Sequence, residues 1–149
     1  MQDKSVIELC KGKRIAAFDY GLRRVGWAVC DELHIVTTTK GIFERTSAGF
    51  WDNVLDGLKR ERIAVCIVGI PLRHDDEPSA MIKACTEFAH ELQTKSGCTV
   101  IPVDEAFSSK RAMQTMISIG VPKSKRRDKS RTDEISAALI LQDFLRELE

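Results

Sequence analysis

The chain has 149 residues, of which 43% are hydrophobic and 30% are charged, with a formal net charge of +1 at pH 7. These values predict one soluble globular domain spanning residues 1–149 and exclude disordered and fibrous classes. No apolar run is long enough to cross a membrane, and the short, charge-interrupted stretch of residues 1–13 is unlike a signal peptide. We therefore expect a cytoplasmic protein without membrane contact.

The five cysteines have neither a C-x-x-C pair nor the spacing of a zinc site. Most of them fall within strand or helix patterns, where a free cysteine usually acts as a small core residue. This arrangement favours a packing role over metal binding or redox chemistry.

The first predicted elements form a hairpin that carries an acid at its mouth. Residues 15–18 predict a strand, residues 20–24 a turn, and residues 25–30 a second strand. By period-two alternation, Asp19 shares a face with Ile15 and Ala17, at the edge of a buried surface. A carboxylate there needs a cation or hydrogen-bond donors beside it. From this stretch alone, an aspartate that simply opens a turn is the alternative.

A third strand, a helix and a buried strand are predicted next. Residues 35–43 are Thr-rich and β-branched, interrupted by Gly41, and continue an antiparallel meander. Ser47 is placed to cap a helix, because apolar residues recur at helical spacing through Leu58. The run IAVCIVGI at 63–70 stops at Pro71 and predicts a central strand covered on both faces.

The second half alternates helices with one more strand. A helix is predicted from about Pro78 to Gly97, a strand over 98–103, a helix over about 108–119, and a final helix from about Arg131.

These later elements contain two further acids, Glu105 and Asp133, at positions whose facing the sequence pattern predicts. Alternation along the strand places Glu105 on the face of Ile101 and Val103, whereas Asp104 points to the other face. Asp133 takes the first core-facing position of the final helix, whose apolar stripe has a helical period.

This element order predicts an α/β fold with a mixed five-stranded sheet: an antiparallel three-strand meander plus two parallel strands, with helices on both faces. Sites in such sheets form at the carboxyl ends of the parallel strands. Asp19, Glu105 and Asp133 would meet there and repel one another unless a hard cation bound them. An all-oxygen ligand set favours Mg²⁺ or Mn²⁺, which can activate water for phosphodiester cleavage.

Basic residues are concentrated in one part of the chain. Eight bases and a single acid, Asp128, lie between residues 110 and 131, so the remainder of the chain is acidic. A one-sided run of this kind predicts a nucleic-acid contact, although a solvated loop is the simpler alternative. With two arginines that follow Asp19, the candidate nucleic-acid-binding residues are Arg23, Arg24, Lys110, Arg111, Lys123, Lys125, Arg126, Arg127, Lys129 and Arg131.

Four motifs in this order resemble the YqgF/RuvX family: DYGLRRVGWAV from Asp19, VGIPL from Val68, VDEAFSS from Val103, and DEISAALILQ from Asp133. That family is described as Holliday junction resolvases and as pre-16S rRNA nucleases. The resemblance implies an RNase H-like fold with Asp19, Glu105 and Asp133 as catalytic acids and metal ligands. It starts near Arg14, and thus leaves residues 1–13 as an unassigned extension.

One departure from the family pattern concerns substrate handling. Family members commonly carry an arginine directly after the Asp-Glu pair, where this chain has Ala106. The change removes a candidate phosphate contact and leaves the metal ligands intact.

Other functions were weighed against a nuclease. A sugar-kinase-type ATPase needs a second such lobe, for which this chain has no room. A non-catalytic nucleic-acid-binding module of the same fold stays open, although such a binder gains nothing from clustered acids beside phosphates. The expected partner is RNA or branched DNA, and the expected assembly is a monomer or weak homodimer.

Overall fold

Five strands form one mixed sheet in the computed structural model, which describes residues 4–71, 79–104 and 129–149. The strands are β1 (Ile15–Tyr20), β2 (Arg24–Cys30), β3 (Thr37–Glu44), β4 (Val65–Ile70) and β5 (Thr99–Asp104). Their order is β3-β2-β1-β4-β5. The β1–β2 and β2–β3 pairs are antiparallel, whereas β1–β4 and β4–β5 are parallel. The predicted mixed sheet is thereby confirmed.

Helices cover both faces of this sheet, as predicted. They are α1 (Lys4–Cys10), α2 (Phe50–Arg60), α3 (Ser79–Ser96) and α4 (Lys129–Leu148). Residues of α2 and α3 pack with Phe18, Trp27 and Val68 in one core layer. Residues of α1 and α4 pack with Ala17 and Ile67 in a second layer on the opposite side, here called the α4 face.

Strand β4 lies at the centre of this arrangement. All six of its residues are buried, because β1 and β5 flank it and helices cover both of its faces. The uninterrupted apolar run follows from this position, since neither face of the strand contacts water.

The apolar stripe of α4 was also predicted correctly. Ala137, Ile140, Leu141 and Phe144 are all buried in the core layer of the α4 face. A helical period of apolar residues is what docking one side of a helix on a sheet requires.

Two local predictions were wrong. Gly41 does not break the third strand: β3 continues through it, and the register shift opposite Trp27 and Ala28 identifies a β-bulge. Gly41 has φ +94°, a conformation that suits glycine, so the residue permits the bulge. Ser47 does not cap α2, because the helix begins at Phe50 and Gly49 is its N-cap residue.

Helix α1 is an addition to the predicted elements. It covers part of the α4 face, where Cys10 is fully buried and Val6 packs against the same core layer. The helix predicted over residues 108–119 lies outside the described residues. Among the helices that the structure describes, none is both long enough and apolar enough to cross a bilayer.

Replacing Leu141 with alanine should lower the free energy of unfolding by about 2–5 kcal/mol, because the side chain is 0% exposed and its loss leaves a cavity beneath α4. Leu33→Ala is a matched control, since Leu33 is 75% exposed and should change stability by no more than about 0.5 kcal/mol. Urea unfolding of the two variants measures the difference. Equal effects would contradict the assigned packing of α4.

Candidate active site

Asp19 lies near the carboxyl end of β1 on the α4 face. It is paired with Gly26 across the β1–β2 hairpin, and directly opposed residues of an antiparallel pair share a face. Ile15 and Ala17, four and two residues earlier, belong to the core layer beneath α4. Asp19 itself is only partly buried. The Asp19 carboxylate therefore lies at the boundary between the apolar core layer and solvent.

Asp133 reaches the same place from the other side, as the fifth residue of α4. The first turns of α4 lie so close to β2 that a methyl group on Gly26 would collide with the carbonyl of Asp133. The same group would approach the amide nitrogen of Glu134 to 2.8 Å. Gly26 is therefore next to Asp19 in the sheet and next to the Asp133 backbone of α4. Asp19 and Asp133 are 114 positions apart in sequence, and both can adjoin Gly26 because glycine has no side chain.

An ion pair fixes the Asp133 side chain. Nε of Arg24 donates a hydrogen bond to Oδ2 of Asp133 at 3.2 Å, and the two side chains are 22% and 24% exposed. At this partial burial, a charge-assisted hydrogen bond is stronger than a surface pair but still weakened by solvent. Arg24, predicted from the sequence to bind nucleic acid, thus also acts as a counter-ion to Asp133, a role that was not predicted. No local pattern connects the two residues.

Arg45 contacts residues at the end of β1 and in the turn of the β1–β2 hairpin. Its Nε donates a hydrogen bond to the Tyr20 hydroxyl at 3.1 Å, and its guanidinium carbon lies 4.8 Å from the centre of the Phe50 ring. Its backbone N–H also donates to the carbonyl of Arg23 at 2.9 Å. These contacts fix the loop that directly follows Asp19. Sequence analysis missed Arg45, which stands just after β3 without any motif.

The third predicted acid and most of the basic run lie outside the described residues. Ile101 and Val103 of β5 pack toward the α4 face, as predicted, but the structure does not describe Glu105. The same holds for the following predicted nucleic-acid contacts: Lys110, Arg111, Lys123, Lys125, Arg126 and Arg127. Lys129 and Arg131 belong to the first turn of α4. Arg23 is exposed in the hairpin loop.

The donors that the structure brings together are chemically suited to a hard divalent cation. Asp19 and Asp133 supply carboxylate oxygens, which Mg²⁺ and Mn²⁺ prefer over nitrogen or sulfur. The described residues hold no group of three or more His, Cys, Asp or Glu side chains that could bind a metal ion. The third predicted ligand, Glu105, lies outside the described residues. The residues present therefore fit such an ion in donor chemistry and in charge.

Comparisons with known proteins agree with the predicted family. A family model described as "RuvX: Holliday junction resolvase" matches residues 13–147. A protein of Christiangramia forsetii named "Putative pre-16S rRNA nuclease" is 42% identical over 90% of this chain and 98% of its own length. Proteins of the same name from Flavobacterium psychrophilum and Porphyromonas gingivalis are each 37% identical over 89% of this chain. The match covers 96% and 95% of those two proteins.

Solved structures support the fold. RuvC of Thermus thermophilus in complex with a Holliday junction substrate matches with a TM-score of 0.55 and 16% identity over 91% of this chain and 96% of that chain. A second structure of the same protein gives a TM-score of 0.52 and 14% identity over the same shares of both chains. These similarities confirm the RNase H-like fold class.

Substituting alanine for Gly26 should separate α4 from the hairpin, since the added methyl group meets backbone atoms that cannot rotate away. We expect a loss of about 1–3 kcal/mol in unfolding free energy, the usual cost of overpacking, together with a displaced Asp133. Urea unfolding and a crystal structure of the variant measure these effects. Gly49→Ala is the control, because a methyl group there would meet only the Asn53 amide at an ordinary 3.7 Å. A Gly26→Ala protein with unchanged stability and an unmoved α4 would contradict this account.

Proposed function

The chain belongs to the RuvX family of Holliday junction resolvases, and on that premise we propose that it is a metal-dependent endonuclease of structured nucleic acid. The family and the names of the relatives indicate a nuclease, that is, a hydrolase of phosphodiester bonds. In this proposal Asp19, Glu105 and Asp133 are the catalytic carboxylates. The substrate is either the 5′ end of precursor 16S rRNA or a four-way DNA junction.

The observation that carries the proposal is the convergence of Asp19 and Asp133 on one face and one edge of the sheet. A fold alone has no need for two acidic residues that both adjoin Gly26 on the same face of the sheet, since like charges repel. A nucleic-acid substrate adds further negative charge from its phosphates. Carboxylates placed to meet phosphates are useful when they hold a cation between them.

Mg²⁺ or Mn²⁺ would be held by the Asp19 and Asp133 carboxylates, with Glu105 as the third ligand. When bound, such an ion supplies an activated water and neutralises negative charge on the phosphate. Alternation from Val103, which faces α4, is the argument for including Glu105. Mg²⁺ requires near-ideal octahedral geometry, so the positions of these carboxylates matter as much as their charge.

Several residues of this chain set those positions. The strand β1 is buried up to Phe18 and holds the Asp19 backbone rigidly. Gly26 determines how close α4 approaches, and Arg24 orients the Asp133 carboxylate through Oδ2. Arg24 also offsets one negative charge before a cation binds. A guanidinium has five N–H donors, so a bond to Asp133 through Nε does not exhaust its capacity to contact a phosphate.

The basic run is proposed to hold the nucleic-acid backbone beside these acids. It precedes α4, the helix that carries Asp133, in the sequence, which is the reason for proposing that its charge acts near the site. Contacts of this kind position phosphates without reading sequence. Base recognition motifs are absent from the sequence, and this fits a substrate recognised by its branched or folded shape.

The Asp19→Asn variant tests the catalytic assignment. Cleavage of a four-way DNA junction or of a precursor 16S rRNA fragment, with Mg²⁺ or Mn²⁺ present, should fall by about 10³-fold or more. A change of this size corresponds to the loss of several kcal/mol of transition-state stabilisation. The melting temperature should be unchanged or higher, because a repelling charge has been removed. Asp52→Asn is the control, since Asp52 is exposed on α2 and far in sequence from the site.

Comparing the two substrates also separates the alternatives. Full activity of Asp19→Asn would exclude Asp19 from catalysis. Tight binding of either substrate by the wild-type chain, without cleavage under any divalent ion, would instead identify a non-catalytic nucleic-acid-binding module.

Replacing Lys125, Arg126 and Arg127 together with alanine tests the basic run. Binding should weaken for all sequences alike, and on duplex DNA the slope of log K against log salt should become shallower by about 0.9 per lost phosphate contact. Turnover at saturating substrate should change less than affinity, because these residues position the backbone and leave the chemistry to the acids. Fluorescence anisotropy at several salt concentrations measures the slope.

The control removes the same charge elsewhere, by replacing the exposed Lys4, Lys11 and Lys83 with alanine. It should leave the salt slope close to that of the wild type. An unchanged slope with lost turnover in the Lys125, Arg126 and Arg127 variant would show that the basic run acts in chemistry or folding.

A further inference from the structure

A second site of chemical interest lies at the opposite end of the sheet from the acids. There, the ends of α2 and α3 and the start of β5 enclose an open cavity of about 470 Å³. Among the residues that the structure describes, its charged lining consists of Lys59, Arg62 and Lys95 without a carboxylate, and its lining also includes the Cys98 thiol. This cavity has no part in the proposed nuclease function.

Cys98 is held at the cavity wall by a defined set of contacts. Its backbone N–H donates a hydrogen bond to the Ser96 hydroxyl oxygen at 3.1 Å, and its thiol donates a hydrogen bond to the Ile63 carbonyl oxygen at 3.5 Å. The residue is partly exposed and lines the cavity, so it is open to small molecules that enter there. Partial exposure distinguishes a thiol that can react from an inert, fully buried one.

A second thiol lies directly behind the first. Cys66 of β4 is 0% exposed, and its side chain is hydrogen-bonded to that of Cys98. The β4–β5 register pairs Val65 with Thr99 and Cys66 with Val100, so Cys98 is the diagonal neighbour of Cys66 across the parallel pair. Both side chains belong to the core layer between the sheet and the α2 and α3 helices.

The two sulfurs have opposite acidities. The hydrogen bond from the Cys66 thiol lowers the pKa of Cys98 to about 6, and the Ser96 hydroxyl acts in the same direction. The same hydrogen bond, with burial, raises the pKa of Cys66 well above its ordinary value. Of the two sulfurs, the partly exposed Cys98 therefore gives up its proton more readily than the buried Cys66.

Cys30 provides the contrast within the same chain. It is 1% exposed, and burial raises its pKa to about 11. Such a thiol is shielded from reagents in solution, so an oxidant that enters from solvent should not react with it directly. The Cys98 environment differs in access and in the hydrogen bond between its side chain and a second thiol.

We propose that Cys98 is an oxidant-sensitive thiol and that Cys66 is its resolving partner, so that a hydroperoxide converts the pair into a reversible disulfide between β4 and β5. This extends the role in packing that the cysteine pattern favoured. Disulfides in proteins of reducing compartments are usually transient and redox-sensing or catalytic, and this pair has that character.

The chemistry is balanced in two steps when hydrogen peroxide is the oxidant. The Cys98 thiolate attacks one peroxide oxygen, the O–O bond breaks, and the departing hydroxide takes up a proton to leave as water, which gives a sulfenic acid. The Cys66 sulfur then attacks the sulfenic sulfur, the S–O bond breaks, and the departing hydroxide takes the Cys66 proton as a second water. The two thiols are oxidised by two electrons, and the peroxide is reduced by two.

The test uses the full-length reduced protein treated with hydrogen peroxide and then digested for peptide mapping by mass spectrometry. The expected product is a peptide pair linked through Cys66 and Cys98, lighter by two hydrogens and separated again by dithiothreitol. In Cys66→Ala the reaction should stop at a sulfenic acid on Cys98 that dimedone traps. In Cys98→Ala, Cys66 should stay reduced, and the control Cys30→Ala should form the linked pair at the wild-type rate.

A second measurement on the wild-type protein does not depend on the variants folding. Iodoacetamide at pH 7 should alkylate Cys98 about tenfold or more faster than Cys30, and the rate should fall as the pH drops through about 6, where the thiolate is protonated. Alkylation of Cys98 no faster than that of Cys30 would overturn the proposal. So would oxidation that yields sulfinic acid on Cys98, or a disulfide that joins other cysteines.

Discussion

The backbone contact between Gly26 and the first turns of α4 is the constraint on which the candidate active site depends. β2 and the helix approach so closely that no side chain fits between them. Because Gly26 is also the cross-strand partner of Asp19, the contact places the Asp133 backbone beside the residue next to Asp19. The same packing that buries the apolar stripe of α4 therefore also sets the separation of two acids. Stability and site geometry share one interface in this protein.

Charge is the second constraint. Two carboxylates at one edge of a sheet destabilise the fold unless positive charge lies near them. Arg24 supplies part of that charge through its ion pair with Asp133. The pair is only partly buried, so it neither carries the full desolvation cost of a buried ion pair nor contributes a large stabilisation. Such a modest interaction orients the Asp133 carboxylate and is compatible with the metal-binding role proposed for it.

The elements that sequence analysis predicted correctly are those whose pattern is local. The apolar run of β4 reflects burial on both faces, the period-two phase of β1 placed Asp19 on the α4 face, and the stripe of α4 followed the helical period.

The wrong predictions also have definite physical causes. The backbone places the N-cap of α2 at Gly49. The sequence instead favoured Ser47, two residues earlier, because serine is a common N-cap residue. The bulge at Gly41 leaves no signal beyond a glycine in a strand. The candidate site could be predicted only in part, because the contact at Gly26 and the ion pair between Arg24 and Asp133 arise from tertiary packing. The proximity of Cys66 to Cys98 likewise depends on strand register.

The Arg24–Asp133 pair also bears on how the protein folds. Its members lie 109 residues apart in sequence, and the docking of α4 on β1 and β2 closes a loop of that order. Closing so long a loop carries a large entropic cost that must be met before the contacts of α4 stabilise the chain. The β1–β2 hairpin, by contrast, forms from neighbouring residues. We therefore expect α4 to dock late, so that partially folded chains lack the assembled candidate site.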